Sequence, residues 1–186
     1  MQYQVKLAGL RDFGALMKLQ KQIANEAKHL AITGKDRRDS LLYAFAKTLV
    51  HRKRVHTFIA LDEGKVVGYI TAISGKFLKV RGTSYVVMGV LASYRGRGIG
   101  TELLKRAEEL ARGHGMHRME LEVFEKNEDA VRLYEKLGFV TEGRRREAIK
   151  TPDGYDDIIW MGKLLDERVA SPLRVKDGKV TERIAA

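Results

Sequence analysis

The sequence predicts an α/β domain, and three observations carry that prediction. Short β-branched runs alternate with apolar stripes at helical spacing, the pattern of a sheet covered by helices. Asp62-Glu63-Gly64-Lys65 separates two such runs and signals a hairpin. Most telling is the run Tyr85-Val86-Val87-Met88-Gly89-Val90-Leu91, nearly free of polar residues. The turn Tyr94-Arg95-Gly96-Arg97-Gly98-Ile99-Gly100 follows it, and then an amphipathic helix.

Each element has its own signal. Gln2 to Leu7 alternates and reads as a first strand. Asp12 reads as a helix cap before the stripe Phe13, Leu16, Met17, Gln20, Ile23, Ala24 and Ala27. His29 to Asp39 is polar and reads as a loop, and Ser40 to about Arg52 as a second helix with Leu41, Leu42, Phe45 and Leu49 inward. Val55–Leu61 and Val66–Ile73 are the hairpin strands, and Ser74 to Gly82 connects them to the Tyr85 strand. The helix after the glycine turn places Ile99, Leu103, Leu104, Ala107, Leu110 and Ala111 on one face. Glu102/Arg106, Lys105/Glu109 and Glu108/Arg112 form i,i+4 pairs on the other. Gly113-His114-Gly115 ends it. Arg118–Phe124 alternates as a strand, Asn127 caps a helix from Glu128 to Leu137, and Gly138 stops it. Phe139–Ile149 and Asp156–Leu164 are closing antiparallel strands around the turn Thr151-Pro152-Asp153-Gly154. Residues 1–165 form the expected domain, and 166–186 an extension that is a short hairpin or a loose tail.

Composition narrows the function. Hydrophobic residues make up 44% of the 186, an ordinary share for a globular chain. No apolar run is of transmembrane length and Met1-Gln2-Tyr3 opens no signal peptide, so no membrane partner and a cytoplasmic location are expected. The chain has no cysteine, which excludes disulfides, thiolate metal sites and an acyl-enzyme through sulfur. His29, His51, His56, His114 and His117 show no metal-ligand spacing, so no metal is expected. Lys+Arg 35 against Asp+Glu 24 leaves a net charge of +11. The basic clusters Lys35–Arg38, His51–Arg54 and Arg144–Arg146 lack interleaved aromatics, which disfavours nucleic acid as the main partner.

Strand, glycine-rich turn and helix present free backbone N–H groups and the positive helix end to an anion. Gly96, Gly98 and Gly100 let the backbone approach a phosphate closely. Spacing decides which phosphate cradle this is. A nucleoside-triphosphate loop needs a lysine after its last glycine, and none follows here. A dinucleotide fingerprint needs a glycine where Thr101 stands.

Arg95-Gly96-Arg97-Gly98-Ile99-Gly100 resembles instead the acyl-coenzyme A signature of the GNAT N-acetyltransferase superfamily. The later run Asn127-(x)2-Ala130-(x)2-Leu133-Tyr134-Glu135-Lys136-Leu137-Gly138-Phe139 strengthens the match. The resemblance runs from about Val66 to Leu164. It implies a mixed, mostly antiparallel sheet splayed at its centre, with helices on both faces. It also implies acetyl-coenzyme A as co-substrate and direct acetyl transfer to a primary amine in a ternary complex. The acceptor is a protein N-terminus, a lysine or a small amine, and a homodimer is allowed. The other readings are a non-catalytic acyl-coenzyme A binding module and, behind it, a nucleic-acid-binding protein.

The resemblance also assigns residues. Backbone N–H groups of Arg95, Gly96, Arg97, Gly98, Ile99, Gly100 and Thr101 would meet the pyrophosphate. The strand edge Met88–Leu91 would pair with the pantetheine arm, and the N–H of Val90 or Leu91 would receive the thioester oxygen. Asn127 would hydrogen-bond the same arm or serve as a plain helix cap. Tyr134 would donate to the departing thiolate; the plain alternative is a core aromatic. A phenol near ~10 and a thiol near ~8.5 make the hydroxyl mainly a hydrogen-bond donor as charge develops. Glu122 matches the place where ribosomal-protein N-terminal alanine acetyltransferases carry a glutamate, which makes it the candidate base. Glu120 shares its strand face, and a water chain is the rival.

Overall fold

The computed structural model describes residues 3–26, 54–75, 80, 82–151, 154–165, 173–176 and 179–183. The expected loop His29–Asp39 and helix Ser40–Arg52 lie outside the described residues, as does most of the Ser74–Gly82 connection. Strands β1 (Gln4–Leu7), β2 (Val55–Asp62), β3 (Lys65–Ser74), β4 (Thr83–Val90), β5 (Arg118–Phe124), β6 (Val140–Thr151) and β7 (Gly154–Leu164) form one sheet in the order β1-β2-β3-β4-β5-β7-β6. The helices are α1 (Phe13–Glu26), α2 (Ile99–Gly113) and α3 (Glu128–Lys136). A separate antiparallel hairpin joins β8 (Leu173–Lys176) to β9 (Lys179–Arg183).

Every neighbouring pair in the large sheet is antiparallel except β4 with β5. That parallel pair is short. Its register holds only Thr83↔Arg118, Ser84↔Met119 and Tyr85↔Glu120, although β4 runs on to Val90 and β5 to Phe124. Beyond Tyr85 the two strands part, and the sheet is open at its middle. This is the splayed, mostly antiparallel α/β sheet that the family resemblance implied.

Helices cover both faces. A Cβ added to Gly68 would meet Ile99 and Leu103 of α2, whereas one added to Gly89 would meet Ile23 of α1 and the Tyr69 ring. Residues alternate across a strand, so Gly68, Ile70 and Ala72 face α2 while Tyr69 and Gly89 face α1. The α2 stripe is buried as its spacing requires, with Ile99, Leu103, Leu104, Ala107 and Ala111 against the sheet. Each such Leu or Ile contributes about 1.5–3 kcal/mol through burial. Half-buried Glu108, beside the stripe, binds both Arg112 and Lys163 of β7, which ties the helix to the sheet.

Two local readings change. Asp12 does not cap α1 directly: it ends a 3-10 turn, Leu10–Asp12, and its carboxylate accepts the Gly9 N–H at 2.9 Å and Lys6 Nζ at 2.9 Å. The cap therefore acts one turn earlier. Asn127 does occupy the N-cap position of α3, but its side chain makes no capping hydrogen bond. No helix among the described residues is long and apolar enough to cross a membrane.

Candidate active site

Beyond Tyr85, β4 stays paired with β3 and leaves its other edge open to the split. Leu91 N–H donates to the carbonyl of Val67 at 3.0 Å, which makes Leu91 and Val67 a hydrogen-bonded pair of the β3–β4 ladder. Such pairs alternate along an antiparallel ladder. Gly89 with Tyr69 is then the next bonded pair, and Val90 and Met88 turn their backbone N–H and C=O groups the other way, into the split. This separates two donors that the sequence left equivalent. The Leu91 N–H is committed to the sheet and its side chain is buried; the Val90 N–H faces the opening. The Val90 carbonyl accepts from Arg95 Nε at 3.3 Å, so Arg95 anchors the turn to the strand end.

The glycine turn follows directly. Ala92–Tyr94 forms a 3-10 turn, and Gly98 is the N-cap of α2 at φ 81°, a left-handed conformation that costs other L-residues roughly 1–2 kcal/mol. The first helical bond of α2 runs from Glu102 N–H to Gly98 C=O at 3.1 Å. Ile99, Gly100 and Thr101 therefore have no intrahelical acceptor for their N–H groups, which point out of the helix start. Gly100 is small for a further reason. A Cβ there would lie 3.0 Å from Leu133 Cδ2 of α3, so Gly100 lets α3 pack against the start of α2. Arg97 folds back on the turn: Nη2 donates to Ser93 C=O at 2.8 Å, and the guanidinium lies 4.9 Å from the Tyr94 ring centroid.

These elements enclose a cleft of about 610 Å³. From β4 come Met88 and Val90, and from the turn Arg95, Gly96 and Gly98. Helix α2 adds Ile99, Gly100 and Thr101, and the α3 segment adds Asn127 and Tyr134. The structure thus brings nearly all the expected binding residues into one space. Leu91 and Arg97 do not line it, and neither does Glu122. The sequence reading had missed Ile23 of α1 and Lys136 of α3 as wall residues. An extended chain threaded into the split would meet the Val90 amide, and an anionic group at its end would meet the amides of the α2 start. Asn127, free of capping, offers its side chain to the same cleft.

Tyr134 is fixed by the end of its own helix. Phe139 N–H donates to Tyr134 C=O and Gly138 N–H to Glu135 C=O, with Gly138 at φ 85°. This closure folds the Phe139 ring edge-on against Tyr134 at 5.9 Å. Leu137-Gly138-Phe139 is therefore the device that orients the tyrosine. Tyr134 is 7% exposed and lines the cleft. Burial raises its pKa strongly, with the nearby Tyr69 and Tyr85 adding to the effect, so the phenol keeps its proton and has a hydroxyl hydrogen to donate.

Glu122 lies beyond the split point on β5, opposite Trp160 of β7. The Tyr85 and Trp160 rings pack 6.2 Å apart on that face. Burial raises the Tyr85 hydroxyl's pKa, and the charges of Glu122 and then Glu120 raise it further. That Tyr85, Trp160 and Tyr69 belong to the site is not legible in the sequence, because only the strand register places them together.

The two glutamates are held differently. Arg118 Nε bonds Glu120 at 3.1 Å, and the same guanidinium also binds Glu142. Glu122 has a looser ion pair, 3.7 Å to Arg145 Nη1, beyond hydrogen-bond length. No group of three or more potential metal ligands occurs among the described residues.

Comparison with known proteins agrees with this fold. Residues 21–139 match the Acetyltransferase (GNAT) family. A segment of 83 residues is 35% identical to N-alpha-acetyltransferase MAK3 of Arabidopsis thaliana, covering 45% of this chain and 44% of that protein. Another, of 94 residues, is 34% identical to N-alpha-acetyltransferase 30 of Schizosaccharomyces pombe, covering 48% and 61%. The chain spans about half the length of these curated relatives. An acetyltransferase of GNAT family from Streptococcus pneumoniae superposes with a TM-score of 0.81 at 24% identity, over 88% of this chain and 99% of that one. The yncA protein of Salmonella typhimurium, solved with its cofactor acetyl-CoA, gives 0.79 at 22% identity, over 91% and 98%. These two likenesses are of fold.

Proposed function

Because this chain belongs to the acetyltransferase (GNAT) family, we propose that it transfers the acetyl group of acetyl-coenzyme A to a primary amine by direct attack within a ternary complex. The catalytic unit is residues 1–165. One observation carries the reading: the β4–β5 split and the unsatisfied amides of the α2 start open into a single cleft that also holds Tyr134. The donor supplies the activated acetyl group. The chain's own residues hold it, receive negative charge and remove a proton.

Val90 N–H is the donor for the carbonyl oxygen as it becomes an oxyanion. The amides of Ile99, Gly100 and Thr101, with the backbone of the preceding turn, hold the pyrophosphate. Tyr134 donates its hydroxyl to the leaving thiolate. An aliphatic amine near ~10.4 is mostly protonated at neutral pH, so a base must take its proton. Glu122 is favoured over Glu120 for that role, because Arg118 holds Glu120 in a direct hydrogen bond whereas the Glu122 pair is loose. The acceptor is a protein N-terminus, a reading supported by the names of the two curated relatives.

Coenzyme A release, measured with acetyl-coenzyme A and a panel of peptide amino termini, lysine side chains and small amines, tests this. Release that requires one of these amines, with acetylated product seen by mass spectrometry, is the expected result. Tight acetyl-coenzyme A binding without amine-dependent release across the panel would make the protein a binding module instead.

A further inference from the structure

Three arginines in a row, Arg144, Arg145 and Arg146, lie on the edge strand β6, and they are not equivalent. In the β6–β7 register Arg144 opposes Ile159 and Arg145 opposes Ile158. Ile158 shares its face with Trp160, which opposes Glu122, so the Arg145 side chain stands on the face of the candidate base. Arg144 stands on the other face, bonded to Asp157 at 2.5 Å and to Glu125 at 2.7 Å. Arg118, the other arginine on the Glu122 face of β5, is filled by Glu120 and Glu142. Arg145 differs from both. Among the described residues its ion pair is the 3.7 Å contact with Glu122, and its side chain is 61% exposed.

We infer that Arg145 selects acceptors carrying a carboxylate beside the reacting amine, and that binding such an acceptor draws Arg145 away from Glu122. The inference rests on the acetyltransferase reading above and names the acceptor class for that site. A guanidinium offers a planar fork that fits a carboxylate with two parallel hydrogen bonds, which the long contact to Glu122 does not provide. The substrate carboxylate replaces one anionic partner with a better-aligned one, so little Coulomb energy is lost in the exchange. Glu122 is then left without its cation, its carboxylate free to accept the amine proton. A cationic acceptor gains nothing from Arg145 and is repelled by it. The carboxylate has two chemical sources: an acidic first or second side chain of a peptide, or the α-carboxylate of a free amino acid.

The test uses the full chain and matched acceptors. One arm compares peptides beginning with Glu and with Gln, blocked at their C-termini; the other compares free amino acids with their amides. Wild type should prefer the acidic member by about ten- to hundredfold in kcat/KM, the range for a well-formed charged hydrogen bond. Arg145→Ala should collapse that ratio, and Arg145→Glu should shift preference toward basic acceptors. Arg145→Gln provides a second removal of charge if the alanine variant folds poorly. The arm that shows the preference identifies the source. Turnover with no preference for the acidic member, or a preference that survives Arg145→Ala and Arg145→Gln, overturns the inference and leaves the acetyltransferase reading standing. Absence of transfer to any acceptor overturns both.

Discussion

Leu91 N–H donates to the carbonyl of Val67 at 3.0 Å, and this one bond decides which amide of the β4 end faces the split. Val90, one residue earlier in the alternation, is left to meet a ligand. Amide hydrogen exchange should therefore distinguish the neighbours. The Val90 amide should exchange readily in the free protein and slow on adding coenzyme A. The Leu91 amide should be protected in both states. Equal response of the two amides would contradict the register-based assignment.

Gly98 and Gly100 fail for different reasons when substituted. Gly98→Ala forces a side chain into φ 81° and should cost about 1–2 kcal/mol in stability. Gly100→Ala places its Cβ against Leu133, and overpacking of this kind costs about 1–3 kcal/mol. Removing the obstruction in Gly100→Ala/Leu133→Ala separates packing from phosphate crowding. Calorimetric affinity for coenzyme A should stay low in the double variant if the amide cradle needs the space. Restored affinity would assign Gly100 to packing alone.

The base assignment has its own signature. Glu122→Gln should lower turnover about 10²–10⁴-fold and remove or move the acidic limb of the pH–rate profile. Glu120→Gln should instead act through stability, because it releases Arg118 from one of its two partners. An unchanged profile for Glu122→Gln would give the proton to a water chain.

Stability should fall with acid before the carboxylates titrate. The imidazole of His56 is held below its ordinary 6.5 by burial first and then by the charge of His114, whose ring centroid is 5.2 Å away. A lowered pKa means that the unfolded chain takes the proton more readily. The contribution of His56 is full above about pH 6.5 and is lost as pH falls below it. Thermal melts from pH 8 to pH 5 should show a decline that His56→Gln flattens. An identical slope in the variant would remove His56 from the effect.

What was legible in the sequence was local. The hairpin turn at Glu63-Gly64, the α2 stripe, the glycine turn and the Leu137-Gly138-Phe139 stop are all written within a dozen residues, and each forms as read. Asp12 was misplaced by one turn because a short 3-10 turn merges into α1 without a break in pattern. The choice between Val90 and Leu91 depends on which ladder pair is bonded, and alternation alone does not say so. Tyr85, Glu122, Trp160 and Arg145 come from four strands, and only the β4–β5–β7–β6 register puts them on one face. The contact of Gly100 with Leu133 likewise joins two helices that share no local signal.

The central claim is that the buried Tyr134 hydroxyl serves the leaving thiolate, and Tyr134→Phe addresses it with the smallest possible change. The ring stays, so its packing on Phe139 and the melting temperature should move little. A hydrogen bond that strengthens only in the transition state adds little to ground-state affinity, so acetyl-coenzyme A should bind nearly as before. Turnover at saturating donor and acceptor, where chemistry limits the rate, should fall about 10²–10⁴-fold. Turnover close to that of the wild type under those conditions would make Tyr134 a core aromatic and contradict the account.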